Sequence, residues 1–259
     1  MKGITERHRI ILKHLEDTGH VNVQDLSKQM KVSDVTIRKD LKLLEDKQLL
    51  FRTHGGASKV NPYTNDKPVA EKERLNAEEK NIIAKKAAAM IGYNDSIIIA
   101  SGTSMLALAR AMQPEGHLTV ITSALNVALE LSHHLNVEVL QLGGQLRQNS
   151  SSVMGPYAEQ ILADISCSTL FLGVDGIDLE MGLTTTSLME ARLNQKMIDA
   201  AQFTVVLADS SKFGKRGLGR ICNLDQVDHI ITDSGISQEL VRLLEEKGVT
   251  VTVVQKATK

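Results

Sequence analysis

The chain has 259 residues, 42% hydrophobic and 24% charged, which exceeds the usual size of one domain and excludes a peptide or a stapled mini-protein. No apolar run approaches the roughly 18 residues of a membrane span. The first residues carry no apolar leader, and Cys167 and Cys222 are too few and too scattered for a disulfide framework or zinc site. A cytoplasmic protein with no membrane partner, no metal and no cofactor is therefore expected. The net charge of −1 hides a split: residues 1–60 hold 12 Lys and Arg against 8 Asp and Glu, net +4, and residues 61–259 hold 18 against 23, net −5. A basic head on an acidic body fits phosphate-backbone binding by the head. With no Trp, three Tyr and four Phe, stacking platforms for single strands are not expected.

The head reads as three helices and a hairpin. Ile10, Ile11 and Leu15, then Val23, Leu26 and Met30, fall at helical spacing with Gly19 between them. Asn22 and Ser33 stand where N-caps belong, so a second helix is predicted over 23–30 and a third over 33–47, separated by a tight turn at Lys31 and Val32. On the third helix Val35, Ile37, Leu41 and Leu44 are expected to pack inward. That leaves Thr36, Arg38, Lys39 and Lys42 as a free polar face able to enter a major groove. A strand over 49–53 and the turn His54-Gly55-Gly56 complete a wing carrying Arg52 and His54, the remaining part of a winged helix-turn-helix.

The predicted boundaries are 1–57 for this DNA-binding domain, 58–69 for a proline-containing linker and 70–259 for a second domain. The latter opens on a helical stretch over 70–91 and continues with strands at 96–100, 118–122, 137–142, 169–174, 204–208, 229–232 and 249–254, alternating with helices. This alternation predicts a mostly parallel sheet of Rossmann-like α/β type. Polar clusters follow four of the strands: Ser101-Gly102-Thr103-Ser104, Gly143-Gly144, Asp175-Gly176-Ile177-Asp178 and Asp209-Ser210-Ser211-Lys212. Ligands bind beyond the carboxyl ends of such strands, so the four are expected to converge on a crevice for a polyhydroxylated, phosphorylated small molecule. Capping of a local turn is the competing reading for Asp175 and Asp178, and solvent for Lys212. His133 and His134 are adjacent on a helix and face apart, which does not suit a metal.

Two stretches carry a family resemblance: Ser33-x-x-Thr36-Ile37-Arg38-Lys39-Asp40-Leu41, and Arg52-Thr53-His54-Gly55-Gly56. Together with Arg7, Ile11 and Leu15 they resemble the signature of the DeoR family of bacterial transcription regulators. The body is similar to that family's sugar-phosphate sensor, whose fold is of the ribose 5-phosphate isomerase and CoA transferase type, and the resemblance spans essentially the whole chain. It implies a repressor of a carbohydrate operon, working as a dimer or tetramer on double-stranded operator DNA under control of a phosphorylated sugar. It implies Ser33, Thr36, Arg38, Lys39, Lys42, Arg52 and His54 for DNA, and Ser101–Ser104, Gly143, Gly144, Asp175, Asp178, Glu190 and Lys212 for the effector. Glu190 resembles the isomerase's catalytic carboxylate. The enzyme's Lys-Gly-Gly-Gly segment is replaced by Met181-Gly182-Leu183-Thr184-Thr185, so no catalysis is expected, an isomerase with a regulatory head being the alternative.

Overall fold

A computed structural model describes residues 3–53, 55–59 and 68–256, and the chain divides into two units, Met1–Asn65 and Asp66–Lys259. His54 of the expected wing and residues 60–67 of the expected linker lie outside the described residues.

In the head, α1 (Ile4–Thr18) stops at Gly19, whose left-handed φ of 75° lets its N–H reach the Leu15 carbonyl at 2.9 Å. The short strand β1 (His20–Asn22) leads into α2 (Val23–Met30), capped by the Asn22 side chain accepting from the Gln24 N–H at 2.8 Å. Lys31 then turns left-handed and Ser33 caps α3 (Asp34–Asp46), its hydroxyl accepting from the Thr36 N–H at 3.3 Å. Strands β2 (Phe51–Thr53) and β3 (Gly56–Ser58) form the wing. The sequence reading placed one strand of this wing, at 49–53, followed by a turn that took in Gly56; the strand is shorter, Gly56 and Ala57 belong to β3, and β1 adds a third strand in the antiparallel order β1-β3-β2. Gly56 permits this, because a Cβ there would lie 1.8 Å from the Val21 carbonyl oxygen.

Ile11, Leu15, Leu26, Ile37, Leu41 and Leu44 make the head's core. Beside them Asp40, 1% exposed, accepts from Arg7 Nε at 2.7 Å and Nη2 at 3.0 Å, tying α3 to α1. Removing one N-cap hydroxyl costs about 1 kcal/mol. Ser33→Ala is therefore expected to destabilise the head by that amount, read as faster amide exchange throughout α3 with the body unchanged.

The body opens with α4 (Val69–Arg74) and α5 (Ala77–Ala88), two helices where a helical stretch is expected over 70–91. The break is tertiary in origin. Asn76 is left-handed (φ 52°) and its amide donates to Asp209 Oδ1 at 2.8 Å and Ser211 Oγ at 3.2 Å, contacts that an unbroken helix would not make.

There follow β4 (Ser96–Ile99), α6 (Thr103–Ala111), β5 (Leu118–Thr122), α7 (Leu125–Leu131), β6 (Val137–Gln141), the hairpin β7 (Gln145–Arg147) and β8 (Ser152–Met154), and α8 (Pro156–Ala163). After these come β9 (Cys167–Leu172), β10 (Gly176–Asp178), β11 (Gly182–Thr185), α9 (Leu188–Asp199), β12 (Ala201–Leu207), β13 (Gly219–Cys222), β14 (His229–Asp233), α10 (Gln238–Glu245) and β15 (Thr250–Val254).

All seven expected strands form one parallel sheet, in the order β15-β14-β12-β9-β4-β5-β6. Its central strands are apolar on both faces, as a sheet covered by helices requires. Ile97, Ile99, Phe171, Val205 and Ile231 pack into one core with α5, α6 and α7, while Ile98, Leu170, Leu172, Val206 and Ile230 pack into the other with α8, α9 and α10. The chain runs outward from β4 to β6 and returns beside β4 as β9. The loops leaving β4 and β9 therefore diverge, and this switch point opens the crevice. The antiparallel sheet β10-β11-β13 and the hairpin β7-β8 are additions outside the seven expected strands.

Candidate functional site

Ser33, the N-cap, and Val35, Arg38, Lys39 and Lys42 of α3 are exposed, with Thr36 half-buried; Leu43 and Asp46 are the other exposed side chains of the helix. Val35 corrects the sequence reading, which packed it inward. It is 62% exposed, because positions 35, 38, 39 and 42 share one helical face. The hydroxyl of Ser33 is committed to its cap and to Thr36 Oγ1 at 3.0 Å. The Arg52 guanidinium, on the wing, lies 3.7 Å from Glu45 Oε2 across an exposed pair of the kind that contributes little. A short face of donors and positive charge beside one apolar side chain results.

The crevice of the body lies open at the carboxyl ends of β4, β9 and β12. From the β4 end come Ser101, Gly102, Thr103 and Ser104, the last two opening α6. Gly102 has φ 120° and nothing within 4 Å of where a Cβ would stand, so space lies open above the first-turn amides, which lack helical acceptors.

From the β9 end comes Asp175. Its Oδ1 accepts from Lys72 Nζ at 3.0 Å and lies 4.0 Å from Lys212 Nζ, while Oδ2 accepts from Thr185 Oγ1 at 3.0 Å. Burial alone would raise this carboxyl, but the charges of Lys72 and Lys212 and hydrogen bonds from Lys72 and Thr185 outweigh it and hold it below the usual range. Glu190, in the first turn of α9, accepts from Ser101 Oγ at 2.9 Å and Arg147 Nη1 at 3.2 Å. Burial, then the charge of Asp175, raise its carboxyl, and Ser101 and Arg147 offset this only in part.

Of the expected effector residues, the structure brings together Ser101–Ser104, Asp175, Glu190 and Lys212. It does not bring in Gly143 and Gly144. These follow β6, two strand spacings or about 10 Å from β4 in the sheet. Nor does Asp178 line the crevice. Its Oδ1 accepts from the Glu180 and Met181 N–H groups, each at 2.9 Å, and Arg216 Nε lies 2.8 Å from Oδ2, so this carboxylate holds the β10-β11 turn.

Three cations that sequence reasoning missed do line it: Lys72, Lys80 and Arg147. Lys80 had a signal, since it shares the apolar stripe of α5 with Ile83, Ala84 and Ala87. Its ammonium donates to the carbonyls of Lys72 at 2.5 Å and Leu75 at 2.6 Å, and burial pushes its pKa down to about 8. Lys72 and Arg147 lie on elements whose placement no local pattern announces. Four cations thus face two carboxylates among the described lining residues, an excess of two positive charges. Among the described residues no group of His, Cys, Asp and Glu could hold a metal, and no helix is long and apolar enough to cross a membrane.

Comparison with known proteins bears on both units. The model of the DeoR-like helix-turn-helix domain matches residues 7–62, and that of the DeoR C terminal sensor domain matches residues 75–234. A protein of Escherichia coli O157:H7 named as an aga operon transcriptional repressor is 39% identical over 97% of this chain and 94% of its own length. The transcriptional regulator GlpR of Haloferax volcanii is 34% identical over 95% of this chain and 96% of its own. The glycerol-3-phosphate regulon repressor of Escherichia coli K12 is 28% identical over 93% and 96%. Among solved structures, ribose 5-phosphate isomerase A from Neisseria gonorrhoeae is similar with a TM-score of 0.39, at 15% identity over 56% of this chain and 55% of that one.

Proposed function

Because the chain belongs to the DeoR family of transcription regulators, carrying both its helix-turn-helix and its sensor domain, we propose that it represses a carbohydrate operon and that a phosphorylated sugar in the crevice sets the affinity of the head for operator DNA. The excess of two positive charges in the crevice carries the ligand part of this reading. A phosphate monoester brings close to two negative charges at neutral pH, and the first-turn amides of α6 offer it neutral donors. Asp175 and Glu190 remain as acceptors for sugar hydroxyls. Two or more heads on associated copies would read repeated half-sites, since one small head offers little contact. A gel shift with the DNA upstream of its own gene, with and without a panel of sugar monophosphates, tests the reading. It fails if no sugar phosphate alters the shift.

One observation favours an isomerase instead: Glu190 is a buried carboxylate with a raised pKa among lysines. Two of the lysines are nevertheless held in the unliganded chain, Lys72 by Asp175 and Lys80 by two backbone carbonyls, and Glu190 itself is held by Ser101 and Arg147. Binding without turnover fits this better, and an isomerase assay on the purified chain separates the two.

Val35, beside Arg38 on the exposed face of α3, suits the methyl group of a thymine. Burying one methyl-sized group is worth about 0.8 kcal/mol. Val35→Ala is therefore expected to weaken operator binding about fourfold per half-site. The difference should vanish on operator made with uracil in place of thymine.

A further inference from the structure

In chain order α4 is the first described element after the head, and none of its six side chains is buried. A helix this short has no stability of its own in water, so its order depends on what fastens it. Three polar fastenings bear on it among the described contacts. Glu73 accepts from Arg110 Nη1 at 2.6 Å, an exposed and screened pair. Lys72 donates to Asp175 at 3.0 Å, and Lys80 holds the carbonyls of Lys72 and Leu75 from beneath. The two less exposed fastenings both lie in the crevice, where Val69 of α4 is also a wall.

We propose that Lys72 is a further effector-contacting residue and that it acts by exchange: the phosphate of the ligand takes its ammonium from Asp175, and α4 loses the ion pair that holds it to the end of β9. This rests on the sugar-phosphate reading of the crevice. The exchange is cheap for Asp175, which keeps Thr185, the Thr186 N–H at 3.3 Å and Lys212. It favours Lys72, because a phosphate dianion is the stronger acceptor for an ammonium. Lys212 touches no part of α4 through its Asp175 contact, so it can hold phosphate without transmitting anything. Lys72 does both, and it does so on the segment that continues in sequence toward the head. Unequal binding to fastened and unfastened α4 is what coupling to a second site requires.

The test uses the full chain as Lys72→Met and Lys72→Arg, with inorganic phosphate and ribose 5-phosphate as probes. Without ligand, amides of residues 70–76 should exchange about tenfold faster in Lys72→Met than in wild type, the other helices being unchanged. Operator affinity should move in the direction in which the probes move the wild type. Lys72→Arg, which keeps the pair, should match wild type in both. Wild-type exchange at 70–76 in Lys72→Met, or faster exchange with unchanged operator affinity, overturns the proposal while leaving the crevice as a binding site. A wild-type chain that binds neither probe overturns the crevice reading itself.

Discussion

Arg38→Ala is expected to lose operator binding while keeping the fold. Arg38 is exposed on α3, on the face it shares with Val35, Lys39 and Lys42, and no core contact depends on it. A bidentate arginine–guanine contact carries about 1 to 3 kcal/mol of discrimination per half-site, so a protein reading two half-sites would lose between about thirtyfold and about twenty-thousandfold. Surface substitutions of this kind change stability by at most about 0.5 kcal/mol, so the thermal midpoint should stay. Lys39→Ala should behave differently, weakening binding to all sequences alike and lowering the slope of log affinity against log salt by about one. Anisotropy titrations of operator and scrambled DNA at several salt concentrations separate the two. Unchanged preference for operator in Arg38→Ala would remove α3 as the reader.

Lys212→Ala should weaken the phosphorylated effector about ten- to a hundredfold and leave DNA binding intact. A hydrogen bond between charged groups is worth about 1.5 to 3 kcal/mol, and Lys212 stands in the crevice with its only close anionic neighbour, among the described contacts, at 4.0 Å. Asp175 retains Lys72 and Thr185 when Lys212 is gone, so the site should not collapse. The same sugar without its phosphate should bind wild type and variant about equally poorly. Calorimetric titration with both forms decides it. Equal affinity of both proteins for the phosphorylated sugar would leave Lys212 a half-exposed lysine after a strand with no part in the site.

Much of the candidate site was legible because its chemistry is local. Ser101-Gly102-Thr103-Ser104 announces a helix start with open amides, and Lys212 follows a strand that periodicity alone identifies. Asp178 was misplaced for an equally local reason. A carboxylate after a strand suits either a ligand or a turn, and only the presence of Arg216 and two free N–H groups decided for the turn. Val35 was misplaced because its apolar character was allowed to outweigh its angular position on the helix. Lys80 could have been found as a lysine on a core-facing stripe; Lys72 and Arg147 could not.

The sequence by itself determined the three helices of the head and the seven strands of the parallel sheet, in their order along the chain. Cap residues, left-handed turn positions and apolar periodicity act within a few residues, and seven apolar runs separated by helices admit few topologies besides a covered parallel sheet. Tertiary structure alone decided which loops share a crevice. Gly143-Gly144 and Ser101-Gly102 follow similar strands, yet β6 lies at the sheet's edge and β4 beside the switch point, so one pair is outside the site and the other within it. The same holds for the break at Asn76 and for the partnership of Lys72 with Asp175, residues 103 positions apart. Such contacts depend on where the sheet places distant segments, and no pattern confined to either segment encodes them.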